Sequence, residues 1–426
     1  MFLPFDITHP HVALVEQHIE TPRVDNVPEA IRDEMARLDV AKKVRPGMAI
    51  ALTAGSRGIN GIPTILATVA GELKRAGAEP FIVPSMGSHG GATADGQLHV
   101  LHTLGVTEEA VGCPIRASME TVQIGRTPEG IPVHMDRLAA GADGIVVVNR
   151  VKAHTDYSGP VESGLMKMLT IGLGKHLGAL TAHRHAILLS YATVIASVGR
   201  EVIRRAPLLF GLGVIENAYD ETAAVVASWP HDFEATDRAL LERAKQIMPR
   251  LPFERLDVLI VDEMGKEISG TGMDTNVVGR RMNLSEPALA SPHVTRIVVR
   301  DLSARTYGSA IGIGLADFTT QRLVDKMDRQ PTYINCLTAN APENGRIPMI
   351  GATDREAVDW AFLTCGAVEP ADVRLTRILN TLHLERFYAS EALRSEIEAN
   401  QRLKIVSAWE PLAFDPTGAL TPDRVS

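Results

Sequence analysis

Residues 48–85 read MAIALTAGSRGINGIPTILATVAGELKRAGAEPFIVPS, and this stretch decides the fold. Met48–Thr53 is short, apolar and uncharged, as is typical of a strand buried in a parallel sheet. Apolar residues then recur at helical spacing between Pro63, which suits a first helical turn, and Gly77, which ends the helix. Glu79–Ser85 is the next apolar run. The stretch therefore predicts a β-α-β unit.

The same alternation continues along the chain. We predict further strands at residues 143–149, 256–261, 294–300 and 332–337. We predict helices at residues 190–205, 235–247, 318–328, 355–364 and 390–400. A proline-flanked polar link at 249–255 indicates two α/β domains, residues 1–250 and 251–426, each with a mostly parallel sheet flanked by helices. Open sheets of this kind bind ligands beyond the carboxyl ends of their strands, so we expect the active site in the interdomain cleft.

The composition excludes several classes of function. Of the 426 residues, 45% are hydrophobic and 22% charged, which is enough apolar sequence to form compact domains. The net charge of −8 argues against non-specific nucleic-acid binding, although it is compatible with a local basic pocket for a small anion. No run of about 18 apolar residues and no signal peptide is visible, so we expect no membrane association. Three distant cysteines fit neither a disulfide framework nor a thiolate metal site, which favours a cytoplasmic protein.

Two small-residue turns follow the first two predicted strands. In the first turn, Gly55–Gly58, glycines let a ligand approach the backbone, and Ser56 and Arg57 can bind an anion. The second turn carries His89 as its one large polar side chain, and an imidazole can take a proton near neutral pH. The alternatives are a surface turn with a solvated arginine and a histidine that packs beside the next helix.

The segment from Asn149 to His185 is the densest in reactive side chains, including His154, Lys167 and His183. Its glycine patterns do not match a phosphate-binding loop or a dinucleotide fingerprint. His183 and His185 would share a face on a strand but diverge on a helix. No zinc-protease or facial-triad spacing is present, so spacing alone leaves a bound transition metal open.

A further polar loop, residues 262–276, follows the strand predicted at 256–261. Lys266 there could complete an anion pocket that faces the first domain, because ligand sites favour domain interfaces. The alternative interpretation is a flexible polar connection.

The order of these residues resembles the lactate racemase family, whose members depend on the nickel-pincer nucleotide, a nicotinic-acid-derived mononucleotide that carries nickel. The run Ser163–Lys167 is similar to the family's lysine segment, so the resemblance implies that Lys167 holds the cofactor covalently. His183 stands sixteen residues later and would bind nickel, with His185 as the second choice. Ser56 and Arg57 match the cofactor-binding first turn.

The resemblance also implies an isomerase that inverts C2 of a 2-hydroxy acid, a racemase or epimerase. His89 and His154 would be the two acid/base residues, and hydride would pass to and from the cofactor. Arg57 and Lys266 would bind the substrate carboxylate, and Glu263 stands where the family has a glutamine that contacts substrate. The N-terminal domain would then bind the cofactor and the C-terminal domain would close the substrate cleft.

Departures from the family pattern place the chain in a divergent branch. Ala54 precedes Gly-Ser-Arg where the family has Asp-x-Thr-Arg, and the gap from His154 to Lys167 is longer by a few residues. These changes, with glutamate at 263, favour a larger hydroxy acid, such as a sugar acid, over lactate. As partners we expect a small anionic hydroxy acid and the enzymes that make the cofactor, with a homodimer as one expected assembly.

Two other functions remain open at the level of sequence. The first is a metal-dependent hydrolase or lyase with His89, His154 and His183 as direct ligands. The second is a non-catalytic protein that binds an anion or a nucleotide, since one α/β fold hosts many functions.

Overall fold

The structure is a computed structural model, and it describes residues 7–56, 58–283, 286–366 and 369–425. It divides into two compact units. One unit is Glu20–Met248, called the first unit here, and the other combines Met1–Ile19 with Pro249–Ser426 and is called the second unit. The prediction placed residues 1–19 in the N-terminal domain, and this assignment was wrong.

The elements up to residue 248 follow in chain order. They are β1 (His11–Gln17), α1 (Val27–Arg37), β2 (Ala49–Ala54), α2 (Ile62–Arg75), β3 (Glu79–Pro84), α3 (Ala94–Thr103), α4 (Glu108–Val111), β4 (Thr121–Arg126), β5 (Pro132–Asp136), α5 (Arg137–Ala140), β6 (Gly144–Arg150), α6 (Leu165–Lys167), α7 (Lys175–Leu189), α8 (Tyr191–Arg205), β7 (Leu208–Glu216), β8 (Thr222–Ser228) and α9 (Phe233–Ile247).

The first unit is built on a five-stranded sheet in the order β3-β2-β6-β7-β8. β2 pairs in parallel with β3 and β6, β6 pairs in parallel with β7, and β8 joins β7 antiparallel. Alternate residues of β2 enter two cores: Ile50 and Leu52 pack with α1 and α2, and Ala51 packs with α8 on the other face. The predicted β-α-β unit is confirmed, with Pro63 in the first turn of α2.

The remaining elements belong to the second unit. They are β9 (Arg255–Val261), α10 (Thr275–Val278), β10 (His293–Val299), β11 (Phe318–Thr320), α11 (Gln321–Lys326), α12 (Arg329–Thr338), β12 (Met349–Gly351), α13 (Asp354–Thr364), β13 (Leu375–Ile378), β14 (Arg386–Ser390), α14 (Arg394–Ala399), β15 (Leu403–Ile405), β16 (Glu410–Pro411), β17 (Ala413–Phe414) and β18 (Leu420–Thr421).

The sheet of the second unit has a parallel half and an antiparallel half. Its nine strands run β12-β11-β10-β9-β13-β14-β1-β15, with β16 also paired to β1. The strands from β12 to β13 pair in parallel, whereas β14, β1, β15 and β16 pair antiparallel. Val12 of β1 lies opposite Ser390 of β14, which explains why the first residues belong to this unit. The predicted α/β class with mostly parallel sheets is confirmed.

Two predicted elements of the second unit were wrong. The strand expected at 332–337 is part of helix α12, in which Thr332 and Cys336 are buried at helical spacing. Tyr333 and Ile334 between them, and Leu337 after them, are exposed instead. This apolar and aromatic run resembles a strand in the sequence. The helix expected at 318–328 begins as strand β11, because Phe318 pairs with β10 and β12 before the helical turns start.

Buried charges occupy the carboxyl ends of the parallel strands in the second unit. Asp262 Oδ1 accepts hydrogen bonds from Arg300 Nη1 at 2.7 Å and from Arg377 Nε at 2.8 Å. Asp354 Oδ2 accepts from Arg300 Nε at 3.0 Å. Arg377 Nη2 also donates to the carbonyl oxygen of Pro422, at 2.7 Å. We call Asp262, Arg300, Asp354 and Arg377 the arginine network, and the C-terminal segment around Pro422 lies against it.

A membrane-spanning helix is not found in the described residues, since no helix there is both long and apolar enough.

Candidate functional site

Three segments converge at the carboxyl ends of β2 and β3. Gly55 follows β2, and a Cβ atom added there would lie 3.3 Å from the Met168 side chain. Gly87 follows β3, and its added Cβ would lie 3.1 Å from the Ile171 side chain. Both side chains belong to a π-helical turn that directly follows Lys167. The glycines therefore let the first two turns pack closely against the lysine segment.

A buried carboxylate fixes the segment that carries Lys167. The backbone N–H groups of Leu165 and Met166 donate to the two carboxylate oxygens of Asp237, each at 2.8 Å. Asp237 is on α9, and burial is the main reason why its pKa rises to about 7. Any Cβ at Gly164 would collide with the Asp237 carboxylate, so this position requires glycine. The glycine in the Ser-Gly run before Lys167 is thus explained by the close approach of the Asp237 carboxylate.

Four stacked or touching rings link the candidate histidines. His154 stacks on Tyr157 with ring centroids 4.3 Å apart, and Tyr157 stacks on Tyr191 at 5.1 Å. His183 meets Tyr191 edge-on, and its Nδ1 lies 2.8 Å from the Tyr191 hydroxyl. Lys167 Nζ lies 6.0 Å from the centroid of the Tyr157 ring. The aromatic column His154–Tyr157–Tyr191–His183 therefore gathers three candidate residues around one tyrosine pair.

His183 has the electrostatics of a neutral imidazole. Its pKa falls to about 4, mainly because the ring is buried and secondly because the positive charge of Lys167 lies close by. The ring is therefore uncharged at pH 7, which is the form that binds metals. The Tyr191 hydroxyl holds Nδ1, so the ring orientation is fixed and Nε2 is the nitrogen that could face a metal.

His154 is held through both its backbone and its ring. Its N–H donates to Glu162 Oε2 at 2.6 Å, and its ring Nδ1 accepts from the backbone N–H of Asp156 at 3.0 Å. Glu162 is buried and pairs with Lys245 at 2.6 Å. Because Nδ1 accepts a hydrogen bond, a neutral His154 carries its proton on Nε2. The side chain can thus donate a hydrogen bond from Nε2 to a ligand.

His89 lies outside the aromatic column, in the turn after β3. Its side chain is exposed, and its backbone N–H donates to the carbonyl oxygen of Met86 at 3.2 Å. The same turn packs through Gly87 on Ile171, four residues after Lys167. The structure therefore brings the two turns together, while the role of His89 as an acid or base stays a prediction.

The other residues predicted for the first unit separate into distinct environments. Ser56 is partly exposed in the turn after β2, and Arg57 lies outside the described residues. His183 and His185 are both on α7, so their side chains diverge. His185 Nδ1 lies 2.8 Å from the carbonyl oxygen of Thr181 in its own helix, which favours His183 as the metal candidate.

The two residues predicted for the second unit have partners of their own. Glu263 accepts hydrogen bonds from Arg424 at 2.9 Å and from Asn380 at 3.2 Å. Lys266 donates from Nζ to the side-chain oxygen of Asn335. Their contact with a substrate stays a prediction.

The three-histidine metal site is not formed. Within the described ranges, no group of three or more His, Cys, Asp or Glu side chains could hold a metal ion. The structure therefore gives no support to His89, His154 and His183 as direct ligands of one metal.

Several residues of the site were missed by the sequence reasoning. Tyr157 is close in sequence to His154, and this proximity is the local signal that could have identified it. Tyr191 and Asp237 lie far from Lys167 in sequence, and neither carried a local signal. Burial of a lone aspartate in an amphipathic helix becomes visible only when the helices are packed.

A protein family and two solved structures are similar to this chain. Residues 10–192 match the family described as lactate racemase N-terminal domain, a range that contains the whole aromatic column and Lys167. The structure is similar to that of the lactate racemase apoprotein from Thermoanaerobacterium thermosaccharolyticum, with a TM-score of 0.52 and 11% identity, over 86% of this chain and 93% of that one. At such identity this likeness shows the fold alone.

A protein from Thermotoga maritima gives a TM-score of 0.48 and 14% identity, over 84% of this chain and 88% of that one. No curated protein sequence matches the chain significantly.

Proposed function

Since residues 10–192 match the family described as lactate racemase N-terminal domain, we propose that this chain is a racemase or epimerase that inverts C2 of a 2-hydroxy acid. The observation that carries the proposal is the aromatic column, which places His154 and His183 on one tyrosine pair beside Lys167. An amine, a neutral imidazole and an acid/base imidazole are three groups that such chemistry requires.

The donor set fits a lysine-tethered nickel-pincer nucleotide. Lys167 would hold the cofactor covalently, His183 would bind nickel, and Ser56 and Arg57 would contact the nucleotide. A single protein imidazole is sufficient, because the cofactor brings its own sulfur and carbon donors. When bound, it supplies a hydride acceptor and donor beside the substrate C2.

The chain's own residues would orient the substrate and move its proton. Inversion requires acid/base groups on opposite sides of the carbon, and His89 and His154 come from separate loops. As an imidazolium, His154 would give a proton to the substrate oxygen, while His89, as a neutral imidazole, would take the hydroxyl proton on the other side. Arg57 and Lys266 would bind the carboxylate.

The substrate is proposed to be larger than lactate. Glu263 replaces the family's glutamine and could accept hydrogen bonds from additional hydroxyl groups, so a sugar acid fits better. The enzyme would act in the cytoplasm, where the enzymes that make the cofactor are its expected partners.

Cofactor attachment is tested by co-expression with the cofactor-making enzymes. We expect an increased intact mass and bound nickel in the wild-type protein and in Lys42→Ala, a surface control, but not in Lys167→Ala. Absence of the added mass from the wild-type protein, or its persistence in Lys167→Ala, contradicts the proposal.

Substrate specificity is tested with the loaded enzyme on a panel of 2-hydroxy acids that includes lactate and polyhydroxy acids. Chiral chromatography should show inversion of a polyhydroxy acid and its loss in His89→Ala and His154→Ala. Turnover of lactate without turnover of any polyhydroxy acid would reject the sugar-acid assignment.

A further inference from the structure

A fully buried lysine lies behind the His89 turn and has no part in the mechanism above. Lys175 begins α7, and none of its side chain is exposed. Its Nζ donates to the carbonyl oxygen of Pro84 at 2.5 Å and to Gln97 Oε1 at 3.1 Å, and it lies 3.0 Å from Asp136 Oδ2. Two of these contacts are hydrogen bonds, and the third is an ion pair with the Asp136 carboxylate.

The backbone of Lys175 indicates that this position is imposed by its surroundings. Its φ angle is +53°, in the left-handed region that side chains other than glycine rarely adopt. Such a conformation persists only when neighbouring contacts over-determine it. The contacts of Nζ with Pro84, Gln97 and Asp136 are of that kind, because they join three separate elements, β3, α3 and β5.

Gln97 connects the buried Lys175 to the turn that carries His89 through hydrogen bonds of its side chain. Since lysine only donates, the Gln97 atom that faces it must be the amide oxygen, which leaves the amide nitrogen directed at the turn. That nitrogen donates to the carbonyl oxygens of Gly87, at 2.9 Å, and His89, at 3.3 Å. One side chain thus binds two backbone carbonyls of the turn on either side of Ser88.

Glycines make up much of this turn, and they offer no side chains that could anchor its backbone. Gly87, Gly90 and Gly91 all have positive φ angles. Within the turn, the His89 N–H donates to the carbonyl oxygen of Met86 at 3.2 Å. The two hydrogen bonds from the Gln97 side chain add to this backbone bond in defining the turn.

We propose that Lys175 and Gln97 are positioning residues that hold the backbone of residues 86–92 and thereby aim the His89 side chain. Asp136 balances the buried positive charge of Lys175, and it also accepts from the backbone N–H of Ala139 at 2.9 Å. The claim that His89 is the acid/base group positioned by this turn rests on the proposed function. The claim that Lys175 and Gln97 restrain the turn does not.

The decisive variant is Gln97→Met, which keeps the volume and leaves the Lys175–Asp136 pair in place. We expect amide hydrogen exchange in residues 86–92 to speed up about tenfold relative to the amides of α2 in the same unit. Glu201→Gln is the matched control, because it alters a buried charge whose arginine partners lie on its own helix. Exchange in 86–92 that equals that of the control overturns the proposal.

Lys175 is tested with the double variant Lys175→Met and Asp136→Asn, which leaves no unpaired buried charge. We expect the same local acceleration of exchange in 86–92. If the double variant folds and its turn exchanges as in the wild-type protein, Lys175 has no positioning role; if it fails to fold, Gln97→Met decides.

The kinetics of the loaded enzyme provide a second test, because a purely structural role of Gln97 would not change kcat selectively. In the loaded enzyme, Gln97→Met should lower kcat about tenfold while KM stays within about twofold, because a misaimed acid/base group slows chemistry more than binding. An unchanged kcat together with faster exchange overturns the claim that the turn aims His89. If even the wild-type protein shows no racemisation, the proposed function fails, while the hold on the turn is still decided by exchange.

Discussion

The carboxyl ends of the parallel strands differ sharply between the two units. In the first unit, glycine turns and partly exposed titratable groups follow β2, β3 and β6, and the His183 pKa falls to about 4. In the second unit, the same end of β9, β10 and β13 is filled by the arginine network and the segment around Pro422. The general rule places ligands at both edges. Because the charges of the arginine network are paired with one another, we expect this network to contribute to the stability of the second unit.

The largest expected effect on stability comes from removing one arginine of the arginine network in the second unit. Arg377→Met leaves Asp262 buried with one charged partner fewer, so we expect the free energy of unfolding to fall by about 3–5 kcal/mol. Chemical denaturation of the full chain measures this loss. A loss below about 1 kcal/mol would mean that the arginine network does not stabilise the second unit.

A smaller effect is expected at the first edge, where Tyr191 fixes the ring of His183. Tyr191→Phe keeps the aromatic stacking but removes the hydroxyl from Nδ1. We expect nickel retention by the loaded protein to weaken about 10–100-fold, because metal-bound imidazoles depend on such partners. Competition with a chelator measures it. Tyr388→Phe is the matched control in the second unit and should retain nickel as the wild-type protein does.

The pH dependence of stability should reveal His183 as well. Its folded pKa of about 4 lies below the ordinary 6.5, so the unfolded chain binds a proton that the folded chain does not. Stability is therefore complete above pH 6.5 and falls as the pH drops towards 4. Between pH 7 and pH 5, the free energy of unfolding of His183→Gln should therefore fall by about 1–2 kcal/mol less than that of the wild-type protein. Chemical denaturation at the two pH values measures this difference. A pH profile of His183→Gln that equals that of the wild-type protein would contradict the assignment.

The smallest effect is expected for Arg424, which pairs with Glu263 near the surface. Arg424→Met should cost less than about 1 kcal/mol, because exposed ion pairs contribute little. It is also the natural control for Arg377→Met, since both side chains contact the same end of the sheet. Equal losses in the two variants would remove the distinction between buried and exposed charge there.

Local pattern was sufficient to predict much of the first unit. The apolar run of β2, the spacing in α2 and the glycine after it have local physical causes, so the β-α-β unit is readable from residues 48–85 alone. The order of His89, His154, Lys167 and His183 was enough to indicate the family. The spacing from Lys167 to His183 could be recognised from the local sequence, without any contact between distant residues.

Other features depend on contacts between distant residues. Nothing local distinguishes β1 as a partner of β14, and the apolar side chains of α12 read as a strand because several of them are exposed. Asp237 and Tyr191 reach the site only through the packing of helices that are distant in sequence. Gln97 contacts the buried Lys175, which lies in a glycine-rich run whose spacing gave no indication of this contact. Tertiary burial cannot be inferred from periodicity alone.

The pairing of β1 with β14 has a consequence for the order of folding during synthesis. Val12 leaves the ribosome before the whole first unit, whereas its neighbour Ser390 is made after that unit. The intervening first unit contains its complete five-stranded sheet within residues 49–228 and can fold as soon as it emerges. Strand β1 must wait with unpaired backbone groups until β14 has been made, which makes it a segment that a chaperone could protect.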